Sequence, residues 1–132
     1  MPSILILDDD EPILMTMAAI LRDAGYLVST ASNGSSGLML FASWAHDLVI
    51  TDISMPGADG LEVIASLRKT VPRPRIIAMS GGSRRLNSNF LHEAHLLGAQ
   101  QVLEKPIEPE ILLQIVAAIL AEPAPPSVVP RH

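Results

Sequence analysis

Short apolar runs alternate with helix-like segments along this chain. Strand-like runs occupy residues 4–7, 27–30, 48–51, 76–79 and 101–103. The run at residues 48–51 is β-branched and has no polar alternation, which is typical of a strand buried on both faces. A buried parallel sheet therefore accounts for this part of the pattern.

Apolar residues between these runs recur at the spacing of amphipathic helices. The periodic segments lie at residues 13–24, 38–42, 61–67, 90–97 and 111–119. Gly25 and Gly98 follow the first and the fourth segment, where a glycine ends a helix readily. Five strand–helix units predict an α/β doubly wound sandwich, with a parallel five-stranded sheet, helices on both faces and right-handed crossovers.

Length and composition indicate one domain. The chain has 132 residues, and we expect the domain to span residues 1–121. Residues 122–132 contain four prolines, which cannot continue a helix, so we expect a flexible tail there.

The net charge and the absence of cysteine argue against several classes of function. The formal net charge of -5 argues against a surface that coats nucleic acid. The chain has no cysteine, so it offers no disulfide framework and no thiol nucleophile. Because the N-terminal apolar run is only four residues long, we expect no membrane span and a cytoplasmic location.

Chemically active side chains follow four of the five predicted strands. In a doubly wound sheet, ligands bind outside the carboxyl ends of the strands, so these side chains are the candidates for a site. They are Asp8, Asp9 and Asp10 after the first strand, Asp52 after the third, Ser80 with Gly81 and Gly82 after the fourth, and Lys105 after the fifth.

This set is suited to phosphoryl transfer. Asp8, Asp9 and Asp52 would repel one another unless a cation lay between them, and Mg²⁺ prefers such oxygen ligands. Asp52 is then a carboxylate nucleophile that can form an acyl phosphate. Lys105, the Ser80 hydroxyl and the Gly81 amide would offset the charge of the transferred group.

Each residue also has a purely structural interpretation. The aspartates before Glu11 and Pro12 could cap the first helix, which taken alone has about even odds. Asp52 could open a turn and Lys105 could be a solvated charge. Their occurrence together at successive strand ends favours the chemical interpretation.

The segments ILILDDDEPIL, DLVITDISMPGADG, IIAMSGG and VLEKPI together resemble the receiver domain of two-component response regulators. The resemblance covers residues 3–121. It implies a flavodoxin-like fold with strand order 2-1-3-4-5. It also implies a single-domain, chemotaxis-type regulator whose only catalysis is its own phosphorylation and dephosphorylation.

The resemblance assigns roles to individual residues. Asp52 would accept a phosphoryl group from a sensor histidine kinase or a histidine phosphotransfer protein. Asp9 would bind Mg²⁺ directly, Asp8 mainly through water, and the backbone carbonyl of Ser54 would be a further ligand. Ser80 and Lys105 occupy the positions of the family's hydroxyl residue and lysine, and Pro106 would follow a cis peptide bond.

One position departs from the family pattern. Receiver domains usually carry Tyr or Phe three residues before the lysine, as an aromatic switch, and this chain has Val102 there. We therefore expect a different output switch, in which the loop at residues 81–85 moves when Ser80 engages the phosphoryl group.

These assignments predict that the protein signals through protein contacts. The partner of the phosphorylated form would be a downstream protein target.

The last helix has one polar residue, Gln114, between residues 111 and 120. If Leu113, Ala117 and Leu120 are exposed, a homodimer through this helix is the expected self-association. A tolerated apolar surface is an equal alternative.

Two other functions compete with this prediction. Asp8-Asp9-Asp10 also fits the Asp-x-Asp motif of haloacid-dehalogenase-like phosphatases, but Pro12 stands where that family has Thr or Val. The third interpretation is a receiver-like binding module that is never phosphorylated. Uptake of a phosphoryl group by the chain would distinguish a response regulator from such a binding module.

Overall fold

The structure is a computed structural model that describes residues 1–53, 60–81, 95–96 and 98–123. Within this part of the chain the structure has five strands and four helices. The elements are β1 (Ser3–Leu7), α1 (Glu11–Asp23), β2 (Leu27–Ala31), α2 (Gly34–Ser43), β3 (Leu48–Asp52), α3 (Gly60–Leu67), β4 (Arg75–Ser80), β5 (Gln101–Glu104) and α4 (Pro109–Ala121). All five predicted strands are present.

The strands form one parallel sheet in the order β2-β1-β3-β4-β5. Both the doubly wound architecture and the order implied by the resemblance are confirmed. β1 and β3 lie in the middle of the sheet, and both are buried along their whole length. Their carboxyl ends, where Asp8 and Asp52 lie, are therefore adjacent.

Two apolar cores cover the two faces of the sheet. Ile4 and Ile6 pack with α1 and α4 on one face, and Leu5 and Leu7 pack with α2 and α3 on the other. The side chains of a strand alternate between faces, so a continuous apolar run can supply both cores at once. This explains why the strands read as short apolar runs in the sequence.

The helix boundaries agree with the sequence signals. The Asp10 side chain caps α1 by accepting a hydrogen bond from the Ile13 amide at 3.2 Å. Gly25 follows α1 with a φ of 101°, a conformation that favours glycine. Of the predicted fourth helix, only His95 and Leu96 are described, and both are helical.

α4 is more deeply packed than the sequence suggested. Leu113 and Leu120 are half-buried against the core beneath α1, and Ala117 is exposed. The large apolar side chain that this helix exposes is Ile111, which retains 44% of its accessible surface. The expected homodimer surface is therefore smaller than predicted.

Candidate functional site

The sheet brings three acidic side chains together at one edge. Asp8 and Asp9 follow β1 directly, and Asp52 is the last residue of β3. Oxygen atoms from these three carboxylates lie within 4.8 Å of one another. Asp8 is completely buried, Asp52 is 7% exposed and Asp9 is exposed. The predicted acidic cluster is thus present in the fold.

Lys105 joins the acidic cluster from the end of β5. Its Nζ atom lies 2.6 Å from Asp8 Oδ2 and 3.0 Å from Asp52 Oδ2. The Lys105–Pro106 peptide bond is cis, as the resemblance implied. The backbone amide of Lys105 donates to the Ser80 carbonyl at 2.7 Å, which fixes the lysine beside the end of β4.

Asp8 and Asp10 have different roles in the local structure. Asp8 Oδ1 accepts a hydrogen bond from the Asp10 amide at 2.9 Å, and Asp10 caps α1. The capping interpretation is therefore correct for Asp10, whereas the side chains of Asp8 and Asp9 belong to the cluster. Of the three consecutive aspartates, Asp10 therefore has a structural role as a helix cap, and Asp8 and Asp9 contribute to the acidic cluster.

Burial and ion pairing act in opposite directions on the pKa values of Asp8 and Lys105. Burial raises the pKa of the Asp8 carboxyl, although Lys105 and the Asp10 amide oppose this rise. Burial by itself would lower the pKa of Lys105, but its hydrogen bonds to Asp8 and Asp52 outweigh that effect and raise it. The lysine therefore remains positively charged, yet one ammonium cannot balance three carboxylates.

The donor set fits a hard divalent cation. Mg²⁺ holds oxygen ligands at about 2.1 Å, so two ligands on opposite sides of the ion lie about 4.2 Å apart. The carboxylate oxygens of Asp8, Asp9 and Asp52 lie within 4.8 Å of one another, so they are near enough to share one such ion. The buried Oδ2 of Asp8, whose contact is the lysine alone among the described residues, gains most from a second positive charge.

Two glycines let the backbone approach the site. A Cβ atom on Gly60 would lie 2.3 Å from the Asp52 carbonyl oxygen and 2.4 Å from Ile53 Cα. Gly81 has a φ of 134°, and a Cβ atom there would lie 3.0 Å from Lys105 Cβ. In the sequence Gly60 is only the last residue of the segment DLVITDISMPGADG, and its contact with Asp52 could not be deduced without the fold.

The remaining predicted site residues are only partly described. Ser80 ends β4 and is 3% exposed. Val102 is half-buried on β5 and packs against the core beneath α2 and α3. Ser54, and residues 82–85 of the predicted switch loop, lie outside the described part of the chain.

An apolar cavity of about 310 Å³ opens beside the lysine. It lies between α1 and α4, and both residues of the cis peptide bond line it. The residues that line it include Ile13, Thr16, Met17, Ile20, Lys105, Pro106 and Leu112. Any molecule that binds there would contact the same lysine that reaches Asp52.

Comparison with known proteins places this arrangement in a family. The family described as "Response regulator receiver domain" matches residues 4–117. The chain is 32% identical over 120 residues to the transcriptional regulatory protein AfsQ1 of Streptomyces coelicolor. It is 33% identical over 119 residues to the protein PetR of Rhodobacter capsulatus. These alignments cover 91% and 90% of this chain but only 52% and 48% of those proteins.

Solved structures of receiver domains have a similar fold. A CheY-like receiver domain protein of Methanospirillum hungatei superposes with a TM-score of 0.85 at 28% identity, covering 91% of this chain and 94% of that one. The chemotaxis protein CheY4 of Vibrio cholerae superposes with a TM-score of 0.81 at 28% identity, covering 90% of this chain and 98% of that one.

In the described part of this chain, no helix is long and apolar enough to cross a membrane.

Proposed function

Because this chain belongs to the response regulator receiver domain family, we propose that Asp52 accepts a phosphoryl group from a phosphohistidine. The donor is a sensor histidine kinase or a histidine phosphotransfer protein. The observation that carries the proposal is the position of Lys105 Nζ, 3.0 Å from Asp52 Oδ2 and beside two further carboxylates.

The proposed reaction is an in-line displacement at phosphorus. A carboxylate oxygen of Asp52 forms the new P–O bond while the N–P bond of the phosphohistidine breaks, and the imidazole nitrogen keeps the electron pair. Lys105 moves from its contact with Asp52 to the phosphoryl oxygens. The Ser80 hydroxyl and the Gly81 amide donate to the same oxygens, so positioning and charge supply most of the rate.

Mg²⁺ is the proposed cofactor, and it would neutralise charge on the transferred group. Asp9 and Asp52 would hold it directly and Asp8 mainly through water. The spacing of the three carboxylates supports this assignment. The Ser54 carbonyl remains a predicted ligand outside the described residues.

The proposed activity is limited to self-phosphorylation and the later hydrolysis of the aspartyl phosphate. The phosphorylated form signals by contact with a downstream protein. The apolar cavity between α1 and α4, beside Lys105, supports docking of the phosphodonor protein at this end of the fold. Met15, elsewhere on α1, is 68% exposed and offers a further apolar side chain for such a contact.

Homodimerisation through α4 remains a proposal with weaker support. Ile111 and Ala117 are exposed on this helix, but Leu113 and Leu120 are half-buried in their own protomer. The output switch also remains a proposal, because Val102 cannot act as an aromatic rotor.

Intact mass after incubation with a small-molecule phosphodonor tests the proposed function. We expect a gain of one phosphoryl group in the parent protein with Mg²⁺, and no gain in Asp52→Ala. A folded parent that gains no mass from either a small-molecule or a phosphohistidine donor would contradict the proposal. Release of phosphate from a simple phosphomonoester would instead support the phosphatase alternative.

A further inference from the structure

One long segment of the chain carries no charged side chain. Residues 24–46 contain no Asp, Glu, Lys or Arg. The chain has 9 basic and 14 acidic residues among 132, so at the average density a segment of this length would carry about four. This segment forms β2, α2 and the connections at both ends of them.

The uncharged segment forms an open edge of the sheet. β2 is the terminal strand in the order β2-β1-β3-β4-β5, and α2 packs on β2 and β1. Edge strands expose backbone donors and acceptors that can pair with another chain. Natural proteins commonly protect them with charged residues, proline or a bulge. β2 has the sequence LVSTA, and it contains neither charge nor proline.

Three large apolar side chains border this edge. Trp44 stacks on His46 at a ring distance of 6.0 Å, and His46 Nε2 lies 3.1 Å from Ser29 Oγ on β2. Leu27 lies on the same face of β2 as Ser29, and the Leu40 carbonyl near the end of α2 accepts a hydrogen bond from the Trp44 amide. We call Leu27, Leu40 and Trp44 the edge patch, and they retain 43%, 37% and 56% of their accessible surface.

The backbone of β2 shows which groups face outward. The Leu27 amide donates to Pro2 O, and the Ala31 carbonyl accepts from the Asp8 amide, so these two residues face β1. Successive residues of a strand point their backbone groups to opposite sides. Val28 and Thr30 therefore point their backbone groups away from the sheet. The Arg22 side chain confirms this direction, because its Nη2 donates to the Val28 carbonyl at 2.9 Å.

We propose that this edge binds a second copy of the same chain by antiparallel pairing of the two β2 strands. Val28 of each copy would pair with Thr30 of the other, about a two-fold axis at Ser29. The result is one continuous ten-stranded sheet, with the two edge patches beside the new strand pair. A two-fold interface of this kind is closed, so it stops at a dimer.

Charge favours a second copy over a different occupant. Each molecule has a formal net charge of -5, and like charges oppose association of two copies. That opposition is smallest where the paired segments have no charged residue of their own, as at residues 24–46, although Arg22 from α1 contacts the Val28 carbonyl at this edge. A basic partner would find no carboxylate to pair with in this segment. The edge also offers the outward groups that an identical antiparallel edge requires.

Arg22 limits the strength of the dimer. Its guanidinium occupies one acceptor position of the Val28 carbonyl, which has two. Pairing requires that Arg22 share this oxygen or move aside. We therefore expect a weak dimer in the parent, and a stronger one when Arg22 is shortened. The phosphorylation site lies at the carboxyl ends of β1, β3 and β5, and it remains accessible in both copies.

Sedimentation velocity over a wide range of protein concentration tests this inference. We expect a concentration-dependent dimer in the parent protein. Thr30→Pro removes an outward amide without removing a bond to β1, and we expect dimerisation to weaken by about tenfold or more, since two symmetric hydrogen bonds are lost. Trp44→Lys should weaken it through charge, and Arg22→Ala should strengthen it.

Two variants distinguish this interface from other surfaces. Ile111→Lys changes the α4 surface, and Met39→Lys adds the same charge on α2 outside the edge patch. Both should leave the dimer unchanged, and thermal unfolding should show that every variant is folded. A parent that stays monomeric at all concentrations would overturn the inference. A dimer abolished by Ile111→Lys and unaffected by Thr30→Pro would overturn it as well. Uptake of phosphate by Thr30→Pro tests the proposed function separately.

Discussion

Lys105 Nζ lies 2.6 Å from Asp8 Oδ2, an oxygen of a carboxylate with no exposed surface. The same ammonium lies 3.0 Å from Asp52 Oδ2. One lysine therefore offsets the repulsion between two acidic strand ends. In the proposed phosphoryl transfer the same ammonium would contact the phosphoryl oxygens, so stability and the proposed chemistry would depend on the same residue.

Removal of that ammonium should destabilise the fold. Lys105→Met leaves Asp8 buried without its cation, so we expect the free energy of unfolding at neutral pH to fall by about 3 kcal/mol. The loss should shrink as the pH is lowered, because the pKa of Asp8 is already raised by burial and a protonated carboxyl needs no cation. Urea unfolding at several pH values measures this effect.

Lys69 provides the matched control for this substitution. It is the other lysine of the chain and is exposed at the end of α3. Lys69→Met should change the free energy of unfolding by less than about 0.5 kcal/mol. Equal effects of the two substitutions would contradict the role assigned to the Lys105 contact.

Magnesium should stabilise the folded protein through the acidic cluster. We expect the unfolding temperature of the parent to rise with Mg²⁺, by an amount that corresponds to about 2.7 kcal/mol at 100 times Kd. Asp9→Asn should lose this response. Without Mg²⁺ it should be more stable than the parent, because one of three neighbouring negative charges is removed.

Glu11→Gln controls for general charge effects in the magnesium experiment. Glu11 is exposed in the first turn of α1 and is not one of the three clustered acids. This variant should retain the response to Mg²⁺. A response that persists in Asp9→Asn at the parental level would place the cation elsewhere.

Gly60 should tolerate no side chain. The added methyl group of Gly60→Ala would overlap the backbone of Asp52 and Ile53, which cannot move without displacing the end of β3. We expect a loss of about 3 kcal/mol in the free energy of unfolding and reduced phosphorylation. Gly37→Ala is the comparison, because the atoms nearest to its methyl group would belong to the Leu7 side chain and not to the backbone. It should cost less, and a reversed order would refute this account of Gly60.

His46 should make stability depend on pH near neutrality. Burial lowers the pKa of His46 below its ordinary value of 6.5, although Asp47 opposes this. The unfolded chain therefore binds a proton that the folded chain does not, and stability should fall as the pH drops below 6.5, by at most about 1.4 kcal/mol per pH unit. His46→Phe keeps a ring beside Phe41 and Trp44 and should remove this part of the dependence. Urea unfolding at pH values on both sides of 6.5 compares the two.

The strands and the acidic cluster could be predicted from the sequence because each rests on local patterns. Apolar runs identified the strands, and the topology of a parallel sheet then required Asp8, Asp52 and Lys105 to meet at one edge. The contact between Gly60 and the Asp52 carbonyl could not be predicted, since it depends on how the chain returns after β3. The half-buried state of Leu113 and Leu120 likewise depends on the packing of α4 against its neighbours, which periodicity does not specify.

The position of the phosphoryl group is the most direct test of the central claim. The parent protein is phosphorylated in the presence of Mg²⁺, reduced with borohydride to convert an aspartyl phosphate into homoserine, and digested for peptide mass analysis. We predict homoserine at position 52 alone, and none in a sample treated without phosphodonor. Homoserine at position 8 or 9, with residue 52 unchanged, would contradict the assignment of Asp52 as the phosphoacceptor.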